Sequence, residues 1–204
     1  VILLEEKKKK IEDLKNKYSD CTKCPNAINN KKVFGHGNLN AKIVVVGEGP
    51  EEAECKQGIP FVGIAGQLLD KILLSIEIKR EDIFATNTVV CRTNTSNRIP
   101  TETECSNCRQ RLFEELLIVS PQITILAGNS AIANILGADH RTSKDHGEWI
   151  TTLTKPCVVC FPIYHPSWIL HSATEGETKK KKLTMWHDIL KFKEEMEVIS
   201  EFNL

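Results

Sequence analysis

A three-layer α/β/α fold around a central, mainly parallel four-stranded sheet is what this sequence predicts, and two observations carry it. Apolar runs at residues 41–46, 84–90, 122–127 and 157–163 alternate with stretches of helical apolar spacing. The first run, Ala41-Lys42-Ile43-Val44-Val45-Val46, ends in an unbroken β-branched series. Such a series suits a strand buried on both faces, as in a parallel sheet.

Taken in order, residues 1–20 read as an amphipathic helix, with Leu3, Leu4, Ile11, Leu14 and Tyr18 near helical spacing among lysines and glutamates. The Lys7–Lys10 run is expected on its solvated face. Residues 21–37 are loop-like, with Pro25 and several asparagines. The first strand runs into Gly47-Glu48-Gly49-Pro50, and helices are expected over 65–76, 102–119, 130–136 and 179–196. Segments 93–101 and 142–149 read as polar loops. The whole of 1–204 is expected to form one domain, with 179–204 as a closing helix and tail.

Composition sets the outer limits. The chain has 204 residues, 41% of them apolar and 26% charged, the balance of an ordinary globular protein. Lys+Arg and Asp+Glu both number 27, so any contact with nucleic acid must come from local basic patches and not from an overall field. No apolar run approaches the roughly 18 residues of a membrane span. At the N-terminus Val1-Ile2-Leu3-Leu4 precedes the charges, the reverse of a signal peptide, so an intracellular protein without membrane association is expected.

Eight cysteines are many for such a protein. They fall as Cys21-x2-Cys24, Cys55, Cys91, Cys105-x2-Cys108 and Cys157-x2-Cys160, and in a reducing compartment they suggest metal ligands or core residues. Spacing alone suits a zinc site built from Cys21, Cys24, Cys105 and Cys108. Cys157 and Cys160 read as core residues of an apolar strand.

Ligand crevices of open parallel sheets lie outside the C-terminal ends of the strands. That rule groups Glu48, Asn87 and His165 on one rim before any motif is considered. Gly47-Glu48-Gly49-Pro50 is neither a P-loop nor a dinucleotide fingerprint; it offers a carboxylate on a stiff turn, able to orient a water. In Tyr164-His165-Pro166-Ser167-Trp168-Ile169-Leu170, the histidine suits a core residue, a metal ligand or an electrostatic catalyst. The apolar residues after it suit either a wedge into a base stack or the start of a buried helix.

Together these pieces resemble the family 4, iron–sulfur uracil-DNA glycosylases. The matching residues run in the family's order: Cys21-x2-Cys24-Pro25, Val33-Phe34-Gly35-x-Gly37, Val46–Pro50 and Gly58-Ile59-Pro60-Phe61-Val62-Gly63. Asn87-Thr88-Val89-Val90-Cys91-Arg92, Asn97–Thr101, Cys108 and His165-Pro166-Ser167 follow. The resemblance covers residues 20–170.

The resemblance implies a hydrolase that releases uracil from DNA and leaves an abasic site. It implies Glu48 as the residue that positions water, His165 as the one stabilising charge on uracil O2, Phe61 as the stacking aromatic and Asn87 as the reader of the uracil edge. Gly49 and Glu54 fall at family positions beside the pocket. It further implies Cys21, Cys24, Cys91 and Cys108 as ligands of a [4Fe–4S] cluster that ties the N-terminal segment to the sheet, leaving Cys105 a bystander.

Arg92, Arg98, Ser167 and Trp168 are expected at the DNA contact, with Arg141 and Lys144 as further rim cations. The expected partner is uracil-containing single- or double-stranded DNA, met by a cytoplasmic, nucleoid-associated monomer. A non-catalytic nucleic-acid-binding module of the same fold is the competing expectation, because Glu51 stands where the family carries glycine.

Overall fold

A computed structural model of the chain describes residues 3–27, 31–92, 98–152 and 157–202. Four strands of five residues each, β2 (Ile43–Gly47), β3 (Ile83–Asn87), β4 (Ile123–Ala127) and β6 (Val159–Ile163), arise from the four apolar runs. Two short strands, β1 (His36–Gly37) and β5 (Ile150–Thr151), flank them. The sheet therefore has six strands and not four, in the order β1-β3-β2-β4-β6-β5. The inner ones pair in parallel, as expected, and both edge pairs are antiparallel. Two-residue strands carry no alternation, which is why the sequence pattern does not reveal the edges.

Successive strand residues point to opposite faces, and helices cover both. On one face Val45, Ile125 and Phe161 pack under α3 (Ile64–Leu74) and α8 (Glu175–Phe202) through Leu69, Leu73, Ile189 and Phe192. On the other, Val44, Val46 and Leu126 meet α1 (Leu4–Ser19), α4 (Glu102–Val119) and α5 (Asn129–Leu136) through Ile11, Leu112, Leu116 and Ile132. Shorter helices α2 (Glu52–Gln57), α6 (Thr142–Asp145) and α7 (Ser167–Leu170) sit near the strand ends. The segment expected as a loop over 142–149 thus begins with a helical turn.

The start of α4 follows from its sequence. Thr101 Oγ1 accepts the Glu104 N–H at 3.2 Å and Glu104 returns the bond to the Thr101 N–H at 2.8 Å, a reciprocal cap that satisfies two orphan donors. At the other end of α4 the expectation for Lys7 fails. Lys7 is buried, and its Nζ donates to the carbonyls of Val119 and Leu39 at 2.8 and 3.0 Å. Carbonyls at a helix C-terminus lack intrahelical donors, so an ammonium is well placed there. Leu3 and Leu4, expected on the apolar face of α1, are instead 75% and 41% exposed.

The Lys179–Lys182 run lies inside α8, where Lys181 is buried and donates to the Trp168 carbonyl at 2.8 Å. Residues 93–97, including Asn97 of the Asn97–Thr101 motif, and the chain ends 1–2 and 203–204 lie outside the described residues. No helix among the described residues is long and apolar enough to cross a membrane.

Candidate active site

The strand ends bring Gly47, Asn87 and Gly128 to one edge of the sheet, with His165 two residues beyond β6. Above them lies a cavity of about 520 Å³, whose walls include Glu48, Gly49, Arg98, His165, Ser167 and Trp168. That volume suits a ligand of nucleotide size.

Glu48 is half-buried on the loop leaving β2, and the turn is held by backbone bonds to the strand beside it. Thr88 N–H donates to Gly47 O at 2.8 Å and Val89 N–H to Glu48 O at 3.1 Å. The carboxylate accepts the Ser130 hydroxyl at 2.7 Å. Ser130 belongs to no recognisable motif, so nothing in the sequence pairs it with Glu48.

Phe61 and Asn87 form the floor beside this loop and not the cavity wall. A Cβ on Gly47 would stand 2.5 Å from both Phe61 Cζ and Asn87 Oδ1, so only glycine lets ring and amide close over β2. Phe61 adopts a left-handed backbone (φ 58°), which a bulky residue enters only when its surroundings impose it. The next helix supplies part of that constraint, since a Cβ on Gly66 would overlap the Phe61 carbonyl.

Asn87 is buried but for 4% of its surface, and among the described residues no hydrogen bond to its side-chain amide is found. A buried amide left this way has both donor and acceptor capacity for a ligand. Its backbone is fixed from below by Arg111, whose Nη2 donates to the carbonyls of Asn87 and Thr88 at 2.7 and 2.9 Å. Arg111 is paired with Glu115 at 2.8 Å, both almost fully buried. The sequence gives no warning of this pair, because an i,i+4 Arg–Glu pair usually reads as a solvated helix face.

Glu54 is buried in α2 and spends its carboxylate on backbone. Oε1 accepts the Gly63 N–H at 2.8 Å and Oε2 the Glu51 N–H at 3.2 Å. It thereby clamps the Phe61–Gly63 turn to the Glu48–Glu51 turn. Glu51 is the N-cap of α2 in extended backbone, so a side chain here is unstrained and its charge suits a helix N-terminus.

His165 accepts at Nδ1. The Ser167 backbone N–H donates to it at 3.3 Å, and the Ser167 hydroxyl lies 2.7 Å away. A backbone N–H can only donate, so the neutral ring carries its proton on Nε2. Burial pushes the imidazole down to about 4, aided by nearby His171 and opposed by Glu54. The ring is therefore a neutral donor at pH 7. Its centroid lies 6.2 Å from that of Phe61, the planes 26° apart.

Of the residues expected at DNA, Arg92, Arg98, Ser167 and Trp168 are engaged with protein side chains. Arg98 forms a forked pair with Glu104 at 2.8 and 2.7 Å, and that guanidinium holds the Glu104 carboxyl down at about 2. Arg92 lies 3.9 Å from Glu52. Trp168 stacks on Tyr164 with centroids 3.8 Å apart. Of the residues after the histidine, Ile169 is buried in the core and Leu170 is exposed, so the segment is a short helix with one apolar side chain outward.

Cys21, Cys24, Cys91 and Cys108 line one small space closed by Ala27, Val89 and Val90, and Cys105 does not. Asn107 Nδ2 lies 3.3 Å from Cys24 Sγ, a donor of the kind that stabilises a ligating sulfur. Burial pushes the Cys91 thiol up to about 12, with the other three cysteines of the set adding to it. Among the described residues no three Cys, His, Asp or Glu groups close around a single ion. The donor set, four sulfurs in a mostly apolar recess that Glu104 and the Asn107 amide also line, fits a multi-iron cluster in kind. Cys160 is buried as expected, but Cys157 is exposed, because it precedes β6 and bonds back to the Thr152 carbonyl.

Comparison with known proteins matches residues 34–190 to the uracil DNA glycosylase superfamily. A type-4 uracil-DNA glycosylase of Thermotoga maritima is 37% identical over 79% of this chain and 84% of its own length. Counterparts of the same name from Archaeoglobus fulgidus and Sulfurisphaera tokodaii are 34% and 32% identical, each over 79% of this chain and over 83% and 76% of their own lengths.

Proposed function

The chain belongs to the uracil DNA glycosylase superfamily, and from that membership we infer a DNA-repair enzyme that hydrolyses the N-glycosidic bond of deoxyuridine in DNA. It releases uracil and leaves an abasic site. The observation that carries the reading is the neutral His165, with Nδ1 committed to Ser167 and its proton on Nε2, on the same rim as Glu48 and Asn87.

The target nucleotide leaves the base stack, because its glycosidic carbon is unreachable within a duplex. Phe61 stacks on the base, and the Asn87 amide pairs with uracil O4 and N3–H. The exocyclic amine of cytosine would face the wrong end of that amide, and an unmatched buried group is costly. As the C1′–N1 bond breaks, the electron pair leaves with uracil. The His165 Nε2–H donates to O2, where that charge accumulates, an effect typically of about 3–4 kcal/mol in a dry site. Glu48 orients the water that adds to C1′, and the proton this water gives up neutralises the released uracil anion. Gly49 gives the backbone room at this turn, and Glu54 holds the two turns together.

Cys21, Cys24, Cys91 and Cys108 would hold a [4Fe–4S] cluster, which supplies a structural cross-link between the segment after α1, the end of β3 and α4. Arg92, Arg98, Ser167 and Trp168 border the path of the DNA strand, where local charge gives salt-sensitive binding. The protein acts as a single-domain monomer at the nucleoid.

The test is incubation with a labelled, uracil-containing single-stranded oligonucleotide followed by alkaline cleavage at abasic sites. Strand scission is expected. Binding without scission would favour the non-catalytic module.

A further inference from the structure

Three successive residues of the turn leaving β4 touch three different walls of the cavity. Gly128, at φ +89°, lies so close under His165 that a Cβ there would stand 3.0 Å from the His165 Cβ. Asn129 Oδ1 accepts both the backbone N–H and the hydroxyl of Thr142 at 2.8 Å. Ser130 places its hydroxyl 2.7 Å from Oε2 of Glu48.

Ser130 is buried and is the second residue of α5, so its position is set by a helix packed on the sheet and not by a loop. Facing a carboxylate, its O–H is the donor. Among the described residues no other group donates to the Glu48 side chain. One carboxylate oxygen is thus committed to a rigid donor, and Oε1 is left to accept from a water.

We propose that Ser130 is a positioning residue for uracil excision, its hydroxyl holding the Glu48 carboxylate in the orientation that presents Oε1 to the attacking water. The proposal rests on Glu48 being the residue that positions that water. A glutamate on a turn has three side-chain torsions to lose, and pinning one oxygen removes most of that freedom before substrate binds. Pre-organisation of this kind acts on the chemical step more than on DNA binding, since Ser130 itself does not touch the substrate.

The test compares Ser130→Ala, Ser130→Thr and Ser130→Val, each alone, with Glu48→Gln and the Ser130→Ala/Glu48→Gln double variant, on a uracil-containing single-stranded oligonucleotide. Hydrogen bonds to charged groups predict a fall in kcat of about ten- to a hundred-fold for Ser130→Ala, with KM changed by less than about two-fold. Thr and Val share a shape and differ in the hydroxyl. Ser130→Thr is therefore expected to keep most of the rate and Ser130→Val to lose it, even if the alanine variant folds poorly. In the Glu48→Gln background, adding Ser130→Ala should cost no more than about two-fold further.

Equal rates in the Thr and Val variants, or fully multiplicative losses in the double variant, overturn the role of Ser130 alone. A wild-type rate in Glu48→Gln overturns the reading of Glu48 and this proposal with it.

Discussion

Ser167 donates its backbone N–H to Nδ1 of His165 at 3.3 Å, and this one bond determines which ring nitrogen carries the proton. The histidine is thereby a neutral donor through Nε2, and in the proposed function that donor meets the charge that appears as the glycosidic bond breaks. Replacing it should act on the chemical step. His165→Ala is expected to lower kcat by about a hundred- to a thousand-fold, the usual loss for one donor aimed at a developing oxyanion. Ser167→Ala keeps the backbone donor and should cost far less. Single-turnover excision with both variants checks the ranking.

The same histidine links stability to pH. Its folded value of about 4 lies below the ordinary 6.5, so the folded state binds fewer protons between those two values. The contribution is fully present above about 6.5 and is lost as pH falls through that window toward 4. His165→Gln has no such group. Thermal melts at pH 7 and pH 4.5 should therefore show a smaller acid-induced loss of Tm in the variant than in the wild type. An equal loss in both would mean that the ring is not held neutral by burial.

Gly47 is the point over which Phe61 and Asn87 close. Gly47→Ala would place a methyl group 2.5 Å from each, and neither the left-handed Phe61 turn nor the end of β3 has room to retreat. Overpacking of this kind costs about 1–3 kcal/mol of stability. Excision should fall by more than the loss of stability accounts for, because in the proposed function both displaced side chains contact the base. Urea unfolding beside excision kinetics separates the two effects.

Below Asn87, the Arg111–Glu115 pair supports the floor. Arg111→Met would leave the Glu115 carboxylate buried without its cation and the carbonyls of Asn87 and Thr88 without their donor. Losing one partner of a buried pair costs about 3–5 kcal/mol. A loss of unfolding free energy of that size is expected from urea titration, although Arg111 does not line the cavity.

Legibility in the sequence followed range. The inner strands and α4 were legible because each carries its own pattern: apolar, β-branched runs buried on both faces, and helical spacing over 102–119. Glu48, Asn87 and His165 were legible because strand ends gather on one edge of a parallel sheet. Ser130 and Arg111 were not, since each acquires its meaning from a partner on another element. The same holds for Lys7, which a helix pattern puts in solvent and the end of α4 draws inward. The left-handed turn at Phe61 leaves no local trace either, because what imposes it includes the close approach of Gly66.

The cysteines offer the sharpest choice between two readings, zinc from their spacing and an iron–sulfur cluster from the family resemblance. A zinc site from the two Cys-x2-Cys pairs would use Cys105 and spare Cys91. The structure sets Cys91 with Cys21, Cys24 and Cys108 around one recess, while Cys105 lies outside it. Cys91→Ala should therefore abolish the yellow-brown visible absorbance of the purified protein and its iron content, and Cys105→Ala should leave both intact. Because Cys21 and Cys24 lie in the segment after α1 and face Cys91 and Cys108 across the recess, loss of the cluster should also loosen that segment. Faster amide exchange near residues 21–27 and a lower Tm are expected in Cys91→Ala. A colourless wild-type protein carrying one zinc, lost on Cys105→Ala and kept on Cys91→Ala, would reverse the assignment.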